Sequence, residues 1–200
     1  FDIAFEHLRE LVKIEKDNFL AYALMGHMAY DFEDYEVSVK NYKKALSLSA
    51  TSAIRPAVRQ EVLRNLAQSH IGQLAYRQAL KVLAKSDRDD SLVLALEADC
   101  HRGLGDSNRA SRLLSEALRQ NPRDRKALLV TVTISLEAKR PEEAIGPLSQ
   151  LLEDDPHDTA ARFLLAQVYG KLDRTKDYQR EIKLRDASNR LKNELTEKNL

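Results

Sequence analysis

The feature that most constrains the fold is a helix–turn–helix pattern that returns along the chain and is most complete over residues 91–124. Apolar residues recur there at helical spacing on either side of Gly105, which supplies a permissive turn. Ala98 in the first helix and Ala110 in the second are small, so two antiparallel helices can approach closely. Pro122 ends the second helix because it cannot continue one. The stretch therefore predicts a closely packed pair of helices.

The same residue class returns at the same offset in the neighbouring units. The small residue of the first helix recurs as Gly26, Ala67, Ala98, Val132 and Ala166. The small residue of the second helix recurs as Ala4, Ser38, Ala79, Ala110 and Ala144. The large apolar residue one turn later recurs as Leu8, Tyr42, Leu83, Leu114, Leu148 and Ile182. Agreement at three offsets predicts a stack of repeats in which each unit contacts only its neighbours.

This pattern resembles the tetratricopeptide repeat, a helix pair with a period of about 34 residues. The resemblance implies an all-α, right-handed superhelical solenoid of antiparallel helix pairs. It would contain about five units, preceded by an N-terminal half-repeat and followed by a C-terminal capping helix. It also implies a binding scaffold, without naming the partner.

The repeat frame predicts one solenoid over 1–200. Its segments are 1–16, the second helix of a truncated repeat; 19–52, a repeat; 53–59, an insertion; 60–90, a short repeat; 91–124, 125–158 and 159–183, three repeats; and 184–200, a helical extension. Because one step of the frame is too long, we expect a loop before Pro56 and a helix that starts there. Pro147 lies inside a second helix, and we expect it to bend the axis. Since Phe1 opens in phase with a second helix, the chain reads as a fragment of a longer protein.

The charged tail has two interpretations. Leu184, Leu191 and Leu195 are spaced seven and four residues apart in a stretch without Pro or Gly. The tail is either a solvated extension of the capping helix or a helix that pairs with another chain or with a missing part of the protein. Three leucines fall short of the heptads that a coiled coil needs.

Composition and motifs argue against several functions. The 32 basic and 31 acidic residues give a net charge of +1, which is not the electrostatic signature of a nucleic-acid binder. No apolar run of about 18 residues is present to span a bilayer. The single cysteine, Cys100, excludes an intrachain disulfide and leaves the compartment open, with a slight preference for the cytoplasm. The histidines are scattered, and His70 and His101 occupy packing offsets, so we expect no enzyme activity, no cofactor and no metal.

The resemblance also predicts where a partner binds, because the first helix of each repeat lines the concave face in this family. The inward positions map onto His27, Tyr30, Arg64, Gln68, Asp99, Arg102, Leu129, Thr133, Leu136, Phe163 and Gln167. Some family members hold a chaperone's C-terminal carboxylate with Lys, Asn and Arg in this groove. Here those offsets hold Ala23, His27, Gln68, Ala95 and Asp99, so the carboxylate clamp is absent.

Three functional hypotheses follow. The leading one is a non-enzymatic scaffold that binds a peptide or protein segment with apolar anchors and an acidic neighbour in the concave groove. The alternative is the recruiting or regulatory arm of a larger enzyme whose catalytic domain lies outside this chain. The third is self-association through the tail or the first half-repeat. RNA is not expected, since helical repeats that read bases need a basic groove and paired base-reading side chains.

Overall fold

The computed structural model describes residues 2–48 and 54–198, and all regular elements in those ranges are helical. Residues 49–53, where most of the expected loop falls, lie outside the described residues. The helices are α1 (Asp2–Ile14), α2 (Phe19–Asp31), α3 (Tyr35–Leu48), α4 (Pro56–Gly72), α5 (Tyr76–Leu83), α6 (Ser91–Gly103), α7 (Ser107–Gln120), α8 (Arg125–Glu137), α9 (Ile145–Asp154), α10 (Thr159–Lys171) and α11 (Thr175–Lys198). The even-numbered helices are the first helices of the repeats.

Four of the five first helices begin with the same polar cap. A side-chain oxygen of Asn18, Asp90, Asp124 or Asp158 accepts a hydrogen bond of 2.9 Å from a backbone N–H in the first turn. Such a cap satisfies a donor that the helix leaves unpaired. The exception is α4, which has no side-chain cap and starts at Pro56, as its sequence suggested.

The turn inside each repeat uses a backbone conformation that is rare for side-chain-bearing residues. The residues with positive φ are Glu33, Leu74, Gly105, Lys139 and Asp173, at φ of 56° to 83°. They occupy equivalent places between the two helices of successive repeats, where the chain must reverse. Only Gly105 adopts the left-handed region without a steric cost.

The expectation that Pro147 lies in the interior of a continuous second helix was wrong. The segment is a 3₁₀ turn, Pro141–Ala144, followed by α9, so Pro147 lies in the first turn of the α-helix. A proline there gives up a backbone donor that the first turn would leave unpaired in any case. The helix therefore changes type before the proline.

The chain folds as two compact units, Phe1–Leu113 and Leu114–Leu200, called here the N-terminal and C-terminal units. In the N-terminal unit, α2, α3, α4 and α5 each pack against the next helix, and α2 also contacts α4, as α4 contacts α6. The core of this unit contains the predicted packing residues Tyr42, Ala67, Ala79 and Leu83, all at most 1% exposed. The first helices are therefore neighbours and share one face.

One packing contact in this unit needs a residue without a side chain. The α2 backbone at Gly26 lies so close to the ring of Tyr42 that a Cβ there would be 2.8 Å from a ring carbon. Since Tyr42 is only 1% exposed, the ring has little room to move away. Gly26 thus fixes the distance between α2 and α3.

In the C-terminal unit, α8, α9, α10 and α11 surround a core that includes Leu128, Leu148 and Leu165. Arg162 on α10 donates to Glu181 on α11 at 2.8 Å, and both side chains are mostly buried. His157 Nδ1 lies 3.1 Å from the Ser188 hydroxyl. These contacts hold α11 against α10 as far as Ser188. Beyond it, the leucines of the tail are 45% and 54% exposed.

Candidate protein-binding face

Three predicted site residues converge in the N-terminal unit. His27 and Tyr30 of α2 and Gln68 of α4 line a pocket of about 140 Å³ together with Tyr42 and Asn65. The convergence follows from the packing of α2 against α4, which brings the inward positions of two successive first helices together. The pocket offers amide, imidazole and phenol groups, so it can form hydrogen bonds as well as apolar contacts.

Tyr42 forms part of this pocket although sequence reasoning treated it as a packing residue. Its hydroxyl has no hydrogen-bond partner among the described residues, and the residue is 1% exposed. Burial raises the pKa of Tyr42, and the Asn65 side chain beside the hydroxyl opposes only part of that rise, because the two groups do not meet the geometry of a hydrogen bond. The phenol therefore stays protonated at physiological pH and remains an unused donor.

A second pocket, also of about 140 Å³, continues from the first and is mainly apolar. It shares His27, Tyr42 and Asn65 with the polar pocket and adds Leu20, Ala23, Leu24, Val58, Glu61 and Val62. Leu20 is 60% exposed and Leu24 is 43% exposed, although both lie on a helix whose other face is buried. The sequence map missed these leucines because they lie outside the offsets that the resemblance marks as inward.

The charged residues predicted for this face are engaged within the unit. Arg64 donates to the Asp90 carboxylate at 2.7 Å, which ties α4 to the start of α6. Arg102 donates to one oxygen of Asp99 at 2.8 Å and 3.0 Å, and Asp99 is only 5% exposed. The arginines that we expected to meet an acidic partner thus have acidic neighbours in the protein itself.

The predicted residues of the C-terminal unit are mostly used in packing. Leu129 and Leu136 pack against the core of the unit, and the Thr133 hydroxyl donates to the Leu129 carbonyl at 3.0 Å. Phe163 is 43% exposed, but the guanidinium of Arg185 lies 5.4 Å from the centre of its ring. Gln167 is exposed. The apolar anchors predicted for this unit are therefore largely occupied by contacts within it.

The histidines at packing offsets are buried, as predicted from the repeat frame. His70 is 5% exposed and His101 is 9% exposed. Burial lowers the pKa of both, so they are neutral at physiological pH. Within residues 2–48 and 54–198, no group of three or more His, Cys, Asp or Glu side chains is placed to hold a metal ion. Over the same ranges, no helix combines the length and apolar character that crossing a membrane requires.

Each repeat combines an antiparallel helix pair, small residues at the helix contact and a left-handed turn. These features define a helical-repeat protein of the tetratricopeptide type. Residues 16–183 match the family described as tetratricopeptide repeat protein 21 ARM repeat, and the chain belongs to that family. The family prediction is therefore confirmed. No curated protein matches the sequence significantly.

Solved structures of tetratricopeptide proteins share the fold. PilW, described as a widely conserved type IV pilus biogenesis factor, aligns with a TM-score of 0.65 and 14% identity over 87% of this chain and 79% of its own. MamA aligns with a TM-score of 0.57 and 14% identity over 88% and 94%. YrrB, described as a TPR protein with an unusual peptide-binding site, aligns with a TM-score of 0.51 and 13% identity over 90% and 91%. The predicted all-α tetratricopeptide solenoid is confirmed.

Proposed function

We propose that the chain is a non-catalytic protein-interaction module that binds a peptide or protein segment on the face shared by α2, α4 and α6. The observation that carries the proposal is the convergence of His27, Tyr30 and Gln68 on one pocket, beside a second pocket with exposed leucines. Membership of a tetratricopeptide family supports a binding role. Binding would work by shape and by burial of apolar side chains, without a cofactor.

The contrast between the two units favours the N-terminal one as the principal site. Leu20 and Leu24 present unburied apolar surface beside hydrogen-bonding groups, whereas Leu129 and Leu136 are partly buried against a core. Completing the burial of two half-exposed leucines supplies about 2–3 kcal/mol. A micromolar complex needs about 8 kcal/mol, so the segment must also make hydrogen bonds and further contacts along the face.

A matched pair of substitutions tests this placement. Gln68 and Gln167 occupy the same repeat offset in different units, so Gln68→Arg and Gln167→Arg make the same chemical change at two faces. Tagged wild type, both variants and Leu24→Glu are used to capture proteins from native lysate, with folding checked by circular dichroism. We expect Gln68→Arg and Leu24→Glu to lose partners that wild type and Gln167→Arg retain.

Equal retention by all four proteins would contradict binding on the α2, α4 and α6 face. Loss with Gln167→Arg alone would move the site to the C-terminal unit. The affinity of the chain for nucleic acid is measured separately at several salt concentrations. Binding that falls steeply as salt rises would indicate contacts to phosphate rather than to a protein partner.

A further inference from the structure

The two pockets between α2 and α4 form one groove because three of their lining residues are common to both. This α2–α4 groove is defined by Leu20, Leu24, His27, Tyr42, Asn65 and Gln68. Its apolar end lies at the leucines and its polar end at the amides. Each pocket is smaller than the volume of about 300 Å³ at which small-molecule sites begin. The groove therefore fits single side chains and backbone of a peptide rather than a compact cofactor.

We propose that the α2–α4 groove selects a peptide segment with an apolar side chain, an uncharged hydrogen-bond acceptor next to it, and a basic side chain at the rim. This inference rests on the proposed function and specifies its ligand. The apolar side chain covers Leu20 and Leu24. The acceptor, a backbone or side-chain carbonyl, takes the hydrogen bond that Tyr42 does not make within the described residues.

The polar end has groups suited to a neutral acceptor. The Tyr42 hydroxyl is a donor, and a buried donor without a partner is unfavourable until an acceptor reaches it. The side-chain amide of Gln68 donates to Asn65 at 3.4 Å, which is a long hydrogen bond. The Asn65 side chain lies beside the buried Tyr42 hydroxyl, and in this proposal it turns aside when the acceptor enters. This long and weak bond offers little resistance to the movement.

Among the described residues that line the two pockets, Glu61 is the one Asp, Glu, Lys or Arg side chain. Glu61 is exposed and lines the apolar pocket, and Asp31 lies 3.7 Å from the His27 imidazole. No lysine or arginine is among the described residues that line either pocket. A carboxylate in the groove would be repelled by these side chains, whereas a lysine or arginine of the ligand would pair with Glu61. The same charges agree with the missing carboxylate clamp.

The test uses a display library of random peptides with blocked charge at the carboxyl end, selected against the whole chain. Selection is run in parallel on wild type and on Leu24→Glu, so that groove-dependent peptides are those enriched on wild type only. We expect these peptides to contain an apolar residue and a lysine or arginine, and to be depleted in Asp and Glu. Affinities of the selected peptides are then measured by fluorescence anisotropy.

Two substitutions, each with a matched control, test the hydrogen bond to Tyr42 and the preference for a basic side chain. Tyr42→Phe is expected to weaken the selected peptides about three- to tenfold, as loss of one hydrogen bond does. Tyr22→Phe makes the same change in α2 away from both pockets and is expected to leave affinity unchanged. Glu61→Lys is expected to turn the preference from basic to acidic peptides, whereas Glu36→Lys, on the exposed surface of α3, is not.

The outcomes separate the two proposals. Groove-dependent peptides that are acidic, or whose affinity is unaffected by Tyr42→Phe and Glu61→Lys, would overturn the ligand specificity and leave binding at this face intact. A library that yields no peptide enriched on wild type over Leu24→Glu would overturn the groove as a peptide site, and the specificity with it.

Discussion

Replacing Tyr42 with Phe removes one oxygen atom and is expected to stabilise the free protein. In most buried tyrosines the hydroxyl is hydrogen-bonded, and its deletion costs stability. Here the hydroxyl is inaccessible and has no partner among the described residues, while Gly26 and the surrounding core hold the ring in place. Folding therefore moves a phenol out of water without replacing its hydrogen bond.

The magnitude follows from the cost of such a group. An unsatisfied buried hydroxyl destabilises by about 1–3 kcal/mol, and the lost packing contacts of the oxygen offset a small part of that gain. We expect the free energy of unfolding of Tyr42→Phe to rise by about 1 kcal/mol, or the melting temperature by about 2–4 °C for a chain of this size. The variant would thus be more stable and bind its ligand less well.

Urea unfolding followed by far-ultraviolet circular dichroism measures the change, with the slope against urea checked so that both proteins unfold comparably. Tyr22→Phe is the control, because Tyr22 lies outside both pockets. A Tyr42→Phe protein that is less stable than wild type, with Tyr22→Phe unchanged, would refute the reasoning. It would mean that the hydroxyl makes a stabilising hydrogen bond in the free protein.

Three further perturbations test other parts of the structure. Because folding raises the pKa of Tyr42, ionisation of this phenol does not affect stability below the ordinary tyrosine pKa and lowers the stability of wild type as pH rises above about 10. Alkaline unfolding should therefore show a smaller loss of stability in Tyr42→Phe than in wild type. Leu74 has φ of 58° and is 71% exposed, so Leu74→Gly should raise the free energy of unfolding by about 1 kcal/mol in urea. Arg162→Met leaves the mostly buried Glu181 carboxylate with Arg180 as its one remaining ion-pair partner among the described residues. Thermal unfolding should then give a free energy of unfolding about 2–3 kcal/mol lower than that of wild type. An unchanged free energy would show that the Arg162–Glu181 pair does not stabilise the fold.

The fold could be predicted from the sequence because the repeats give several independent observations of each position. Each offset is sampled several times, so a small residue that recurs opposite a large one can be recognised even when single units have drifted. Residues such as Ala67, Ala79 and Leu83 were placed correctly in the core by this comparison alone. The helix starts could be predicted for the same reason, since Asn or Asp stands before four of the first helices.

The turns and the ion pairs were harder to predict from the sequence. A left-handed residue is signalled in sequence by glycine, and only Gly105 gave that signal; Leu74 adopts the same region because the helices on both sides impose it. Arg64 and Asp90 are 26 residues apart, so their ion pair depends on the approach of α4 to the start of α6. Offsets place a residue on a face, but they do not show whether its charge is already neutralised.

The candidate site was found only in part, and the reason lies in how a repeat encodes its core. A core position is recognised by agreement among units, so a residue that fits the class is assigned to packing and its remaining chemistry is ignored. Tyr42 satisfies the large apolar offset that Leu83 and Leu148 also occupy, yet it alone brings a hydroxyl into that row. Burial explains its ring and leaves its oxygen unexplained. A residue that meets the packing rule while adding a polar atom is therefore the position at which this fold should be searched for binding.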